Sequence, residues 1–344
     1  MSSSLKTLAL ALALVIGLGL TAHAATITLT GAGATFPAPI YDKWRFEYHK
    51  QWPAVEISYQ SIGSGGGIKA IKARTVDFGA SDAPLTDAEL HEMPAQLFQI
   101  PTVGGAVVVA YNLPGVGKQL RFTPGTIAGI FLGQITQWND PRIAADNPGA
   151  RLPSTAISVA HRSDGSGTTY IFTHYLADIS PTWRDNVGAG KEVKWPCGHG
   201  GKGNEGVTAL IKQIDGGFGY IELAYALQNH ISFGQVRNSS GKFITASVTS
   251  TTAAITGALA RLKRDNRTPI VNPQGPNAYP ICGLTYLLFY KYQSDEGRAG
   301  GLLAFLKFAM TKGQGMASAL QYAPLPSALV TANMTFINAM RMKQ

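Results

Sequence analysis

ISVAHRSDGSGTTYIFTHYLADI, residues 157–179, reads as a strand, a turn of small residues and a helix in direct succession. Residues 157–162 predict the strand, DGSGT breaks it, and Phe172, Leu176 and Ile179 then recur on one helical face. The same grammar appears elsewhere. Val55, Ile57 and Tyr59 alternate as a strand into GSGGG at 63–67, and Ile68 and Ile71 suggest a short helix after it. GAGATF at 31–36 precedes Pro39, which suits a helix start, with Ile40, Trp44 and Tyr48 as its apolar face. VDFGAS at 76–81 and AVVVAYN at 106–112 read as strands, and Thr123-Pro124 caps a helix carrying Ile127, Ile130 and Phe131. Val207, Leu210, Ile211 and Ile214 form a 3.6-period stripe, and late helices carry Leu302, Leu306 and Met310, then Leu329 and Ile337. Alternation from end to end predicts an α/β fold with mostly parallel sheets.

At 344 residues, the chain suits two lobes better than one core. With no repeat or low-complexity linker, the expected crossings lie near Asn112 and again near Pro273–Pro280. Residues 25–111 with 278–344 then make lobe I, and 112–277 lobe II. Hydrophobic residues at 45% and charged ones at 14% exclude a disordered chain. Lys6, an apolar run from Leu8 to Leu20 and Ala22-His23-Ala24 predict a secretory signal over 1–24, cut after Ala24; the run is too short to span a bilayer. The remainder is expected to be soluble and exported to a periplasm. The formal charge of +9, or +8 without Lys6, suits an anionic ligand. The densest basic group, Arg261, Lys263, Arg264 and Arg267, follows an amphipathic stretch and reads as a solvated helix end, which argues against nucleic acid. Cys197 and Cys282 sit in similar contexts, WPCG and YPICG, and are the candidates for a disulfide in an exported chain.

The turns carry the chemistry. GAGATF, GSGGG, FGASDAP at 78–84 and RSDGSGT at 162–168 fall at strand ends, where open α/β sheets bind ligands. Helix N-termini there present unpaired N–H groups and a partial positive charge, which favour an anion. Thr35, Ser64, Ser166 and Thr168 add hydroxyl donors, and Arg162 adds a fork matched to a tetrahedral oxyanion. Familiar alternatives fail on inspection. Phe36 and Ile68 occupy the last position of a G-x-G-x-x-G fingerprint, and GGKGN at 200–204 lacks the P-loop spacing. Asp164 replaces the first Gly of a nucleophile elbow around Ser166. The histidines after residue 24 never fall at metal-ligand spacing, so no metal or cofactor is expected.

Asp82 stands out as an acid among turns suited to an anion. It could be a turn or cap residue ahead of Pro84, or a catalytic base or nucleophile. A third reading fits the turns better. A carboxylate only accepts hydrogen bonds, so it welcomes an oxyanion that still bears a proton. Phosphate near neutral pH has such a proton and sulfate has none. The competing expectations are a phosphoryl hydrolase, which needs a base or metal at a nucleophile, and a receptor for sulfate or molybdate, which should lack an acid at this position.

The chain resembles the periplasmic phosphate-binding proteins of bacterial ABC-type phosphate uptake systems. The resemblance rests on LTGAGATFPAPIYDKW at 29–44, TVDFGASDAPLTD at 75–87, FQIPTVGGAVVVAYN at 98–112, DGSGTTYIFTHYLA at 164–177, VKWPCGHGGKGNEGV at 193–207, GGFGYIELAYA at 216–226 and YAPLP at 322–326. It implies a two-lobed, type II binding fold with the anion dehydrated in the inter-lobe cleft. It also implies a phosphate site formed by Ala34, Thr35, Phe36, Ser64, Asp82, Arg162, Ser166, Gly167 and Thr168, with Asp164 holding the Arg162 guanidinium. The implied role is non-enzymatic: a monomeric receptor that closes over phosphate and delivers it to an inner-membrane permease. Residues 235–277 carry no such match.

Overall fold

The computed structural model describes residues 26–116 and 119–343; the expected signal segment therefore lies outside the described residues. One mixed sheet is built from β1 (Ile27–Gly33), β2 (Val55–Ser61), β3 (Phe78–Ser81), β4 (Leu97–Asn112), β5 (Ser158–Arg162), β6 (His199–Gly201), β7 (Gly217–Glu222), β8 (Ser232–Phe233) and β9 (Cys282–Tyr290). The strand order is β2-β1-β3-β9-β4-β7-β5-β6, with β8 also on β4. The helices that matter below are α1 (Ala38–Gln51), α2 (Ser64–Lys72), α3 (Asp87–His91), α4 (Pro124–Phe131), α5 (Gly167–Ile179), α6 (Gly203–Gln213), α7 (Leu223–Gln228), α8 (Val248–Leu262), α9 (Glu296–Met310) and α10 (Ser327–Asn338).

The flanks of the sheet are parallel, as expected: β1 pairs with β2 and β3, and β5 with β6 and β7. Its centre is not. β9 runs antiparallel to both β3 and β4, and β4 antiparallel to β7. CGLTYLLFY is buried at every position, so it shows no alternation to betray a strand. The predicted strand 106–112 is the second half of β4, a 16-residue strand that changes partner along its length. Leu97–Ala106 pair with β9, and Val107–Asn112 with β7. One strand thus joins the two lobes of a periplasmic-binding-protein fold.

Local chemistry explains the helices around this frame. Thr123 caps α4 by accepting from the Thr126 N–H, with Pro124 in the first turn, as the sequence predicts. Trp44 and Tyr48 on α1 are fully buried, Tyr48 against Phe305 and Phe308 of α9. Residues 235–277 contribute α8, capped by a Ser247–Ser250 box, and two short strands. Arg267 departs from the solvated reading: it folds back onto Asp265 at 2.9 Å and reaches Asp87 of α3 at 2.5 Å.

The expected disulfide is absent. Cys197 and Cys282 are both free thiols. Cys197 lies 3.6 Å from the carbonyls of Ile130 and Phe131 at the end of α4, whereas Cys282 begins the central strand β9, 3.4 Å from the Tyr279 carbonyl. Each thiol packs against its own element, so similar sequence contexts did not mean proximity.

Candidate functional site

All four small-residue turns follow strands and converge. The turn after β1 leads to α1, and the turns after β2 and β5 open α2 and α5. Gly63 precedes α2 with φ +85° and offers no side-chain cap, a conformation that favours glycine. The Gly65 N–H donates to the Gly165 carbonyl at 2.8 Å, so the N-termini of α2 and α5 meet. Glycine is required at 167 for the same closeness: a Cβ there would stand 2.5 Å from the Asp82 Cβ and from Ser64 Oγ.

The hydroxyls at this junction are oriented by what they accept. Ser64 Oγ accepts the N–H groups of Asp82 at 3.1 Å and Gly167 at 3.0 Å. Thr35 Oγ1 accepts both the backbone N–H and the side-chain amide of Asn204, at 3.1 and 2.8 Å. Thr168 Oγ1 accepts from Asn204 Nδ2 at 3.1 Å and Arg162 at 3.4 Å. A hydroxyl whose oxygen is held by N–H donors is left to donate its own proton. Ser166 Oγ instead accepts from the Thr169 N–H and caps α5. Asn204 was not singled out in the sequence; its signal was GGKGN, set aside there as a failed P-loop.

Backbone amides are aimed by a second device. Three successive carbonyls, of Ala34, Thr35 and Phe36, accept from the hydroxyls of Tyr59, Tyr225 and Tyr322, at 2.7, 2.7 and 2.6 Å. The N–H and C=O of a trans peptide point in opposite directions. Holding the Ala34 and Thr35 carbonyls outward therefore turns the Thr35 and Phe36 N–H groups the other way. The Ala34 N–H is committed to the Ala80 carbonyl at 2.9 Å and is not available. These tyrosines come from β2, α7 and the segment before α10, too far apart in sequence to be read as one feature.

Charge is arranged around the same point. Arg162 is buried, and its guanidinium is held by both oxygens of Asp164, at 2.7 and 2.5 Å. Burial, the largest influence, would raise the Asp164 carboxyl, but the Arg162 hydrogen bonds and charge together with backbone N–H donors outweigh it and hold it below the ordinary value. The N-terminus of α6 adds the Gly203 N–H to Asp164 at 3.0 Å. Asp82 is 2% exposed, and burial pushes its carboxyl up to about 7, against the opposing pull of Thr285, Arg162 and Ser64. Its Oδ1 and the neighbouring Thr285 hydroxyl both lack a hydrogen-bond partner among the described residues. His161, the histidine nearest the site, stacks on Trp195 at 4.8 Å and is bonded to the Arg162 carbonyl; burial lowers its pKa. The geometry thus brings together donors, one guanidinium and one acceptor carboxyl at one buried junction, with the Ala34 amide already committed.

Two-lobed binding proteins are the class this fold and junction define, and a family model described as the PBP superfamily domain matches residues 20–312. The phosphate-binding protein PstS of Xylella fastidiosa is 44% identical over 299 residues, covering 86% of this chain and 81% of that protein. Among solved structures, a periplasmic phosphate-binding protein (PfluDING) bound with phosphate superposes with a TM-score of 0.72 at 21% identity, over 90% of this chain and 93% of the other. An ABC-type phosphate transport receptor from Vibrio cholerae gives 0.53 at 18% identity, over 87% and 100%. The chain belongs to the PstS phosphate-binding protein family.

Proposed function

We propose that this protein is a non-enzymatic receptor that encloses inorganic phosphate between its lobes for import by an ABC-type permease. The observation that carries the reading is Asp82: a buried carboxyl with an unpartnered oxygen, surrounded by hydroxyl, amide and guanidinium donors. A fully ionised oxyanion would face that carboxyl with no proton between them, whereas HPO₄²⁻ and H₂PO₄⁻ supply one. Thr35, Phe36, Ser64, Arg162, Ser166, Gly167 and Thr168 donate to the other oxygens, Ala34 lines the loop, and Asp164 orients Arg162.

Lobe I comprises 25–111 and 278–344 and lobe II 112–277 in this reading, with closure as a hinge motion about the shared strands. Contacts across this division support a closed form here: Lys191 to Glu89 at 2.5 Å, Tyr225 to the Thr35 carbonyl, and Gly167 to Ser64. The receptor acts as a monomer in the periplasm after loss of residues 1–24. Among the described residues no helix is long and apolar enough to cross a membrane. The relatives named as phosphate-binding and phosphate-transport proteins support the ligand and the permease partner. Isothermal titration with phosphate and with sulfate tests the reading. Tight phosphate binding with sulfate rejected by about 10⁴-fold or more is expected; comparable affinities would overturn it.

A further inference from the structure

Glu222 closes β7 and is fully buried, yet the ligand set above does not use it. Its Oε2 accepts the Ala224 N–H at 2.8 Å and lies 3.2 Å from Tyr322 Oη, while its Oε1 has no partner among the described residues. The protons can be counted. Tyr322 Oη stands 2.6 Å from the Phe36 carbonyl, a distance that requires a hydrogen between the two oxygens. The carbonyl has none to give, so the phenol proton is spent there. The Tyr322 Oη–Glu222 Oε2 contact, at 3.2 Å, is long for an O–H···O bond, so Glu222 receives at most a weak share of that proton, and a fully buried carboxyl with one oxygen unpartnered and no cation beside it is far costlier ionised than neutral.

We infer that Glu222 is kept as a neutral carboxylic acid at the base of a chain of contacts, against Tyr322, which donates to the Phe36 carbonyl, and that Glu222 is thereby a positioning residue for the 34–36 loop. The Phe36 carbonyl is the sole hydrogen-bonding group of the peptide before Pro37, which has no N–H. Anchoring it sets where the loop ends and α1 begins. The surroundings favour the neutral acid. The titratable groups facing Glu222 are Tyr322, Asp82 and Tyr225, none of them a cation, and burial lifts the carboxyl well above its ordinary range. A Cβ on Gly105 would fall 2.4 Å from the Phe36 ring and 3.4 Å from Glu222 Oε1, so this corner is tightly packed.

The positioning role rests on the phosphate reading of the loop; the protonation state does not. Infrared difference spectra of the whole protein at pH 8.5, where Asp82 is ionised, should show the carbonyl stretch of a protonated carboxylic acid that is missing in Glu222→Gln. Lack of that band in the wild type overturns the neutral acid. Tyr322→Phe breaks the chain and should weaken phosphate binding roughly tenfold. Glu222→Ala should do the same, and Glu222→Gln, a neutral isostere of the acid, should recover most of the loss. Wild-type affinity in Tyr322→Phe, or a Gln variant as weak as the Ala variant, overturns the positioning role. A wild type that shows the band but binds no phosphate would instead overturn the phosphate reading alone.

Discussion

Replacing Asp82 with Asn removes an acceptor that is charged at neutral pH when exposed and costly to bury. In the closed form its carboxyl rises from an ordinary 3.8 to about 7, chiefly through burial. One pKa unit corresponds to about 1.4 kcal/mol, so closing over an ionised Asp82 with no ligand proton costs at most ~4 kcal/mol. The sign follows from proton affinity. The closed form binds the Asp82 proton more tightly than the open form, so empty closure is easiest below about pH 4. The penalty grows as pH rises toward 7 and is constant above it. Phosphate relieves the penalty by bringing a proton to the carboxylate, and sulfate cannot. A difference of ~4 kcal/mol is a factor of about 10³ in binding. In Asp82→Asn, calorimetry should therefore show sulfate affinity rising by up to about 10³-fold while phosphate still binds. Small-angle scattering of phosphate-free protein should find the wild type more compact at pH 5 than at pH 8.5, and the Asn variant unchanged between them. Sulfate affinity within tenfold of the wild type, or wild-type compactness independent of pH, would refute the assignment of Asp82 as the proton-reading group.

Gly167→Ala places a methyl 2.5 Å from Asp82 and Ser64, groups that reach it across the junction. The variant should fold with near wild-type thermal stability without phosphate, yet lose phosphate binding by 100-fold or more, as read by the phosphate-induced shift in melting temperature; an undiminished shift would contradict the close approach. Cys282, buried with its pKa pushed up to about 12, should resist thiol reagents until the chain unfolds, and Cys197 should be the more reactive of the two. Unfolding without reductant should expose both thiols to titration; finding neither would restore the disulfide.

Periodicity and turn chemistry are local, which is why the α/β alternation, the cap at Thr123 and the four small-residue turns at strand ends could be read along the chain. The placement of Asp82 was equally legible, since an acid among donor-rich turns is a chemical contradiction wherever it occurs. The antiparallel centre was not, because β9 is buried along its whole length and carries no alternation. The cysteines misled for a related reason: context repeats along a sequence, but bonding depends on distance in space.

Residue types alone determined that this chain gathers anion donors at strand ends and keeps one acceptor among them. Tertiary structure alone decided how those donors point. Tyr59, Tyr225 and Tyr322 arrive from three distant segments to hold three consecutive carbonyls, Asn204 orients two hydroxyls, and Glu222 is buried beside Tyr322. A hydrogen bond's direction depends on where its partner sits, and partners 25 to 286 positions away along the chain are set by packing rather than by neighbouring residues.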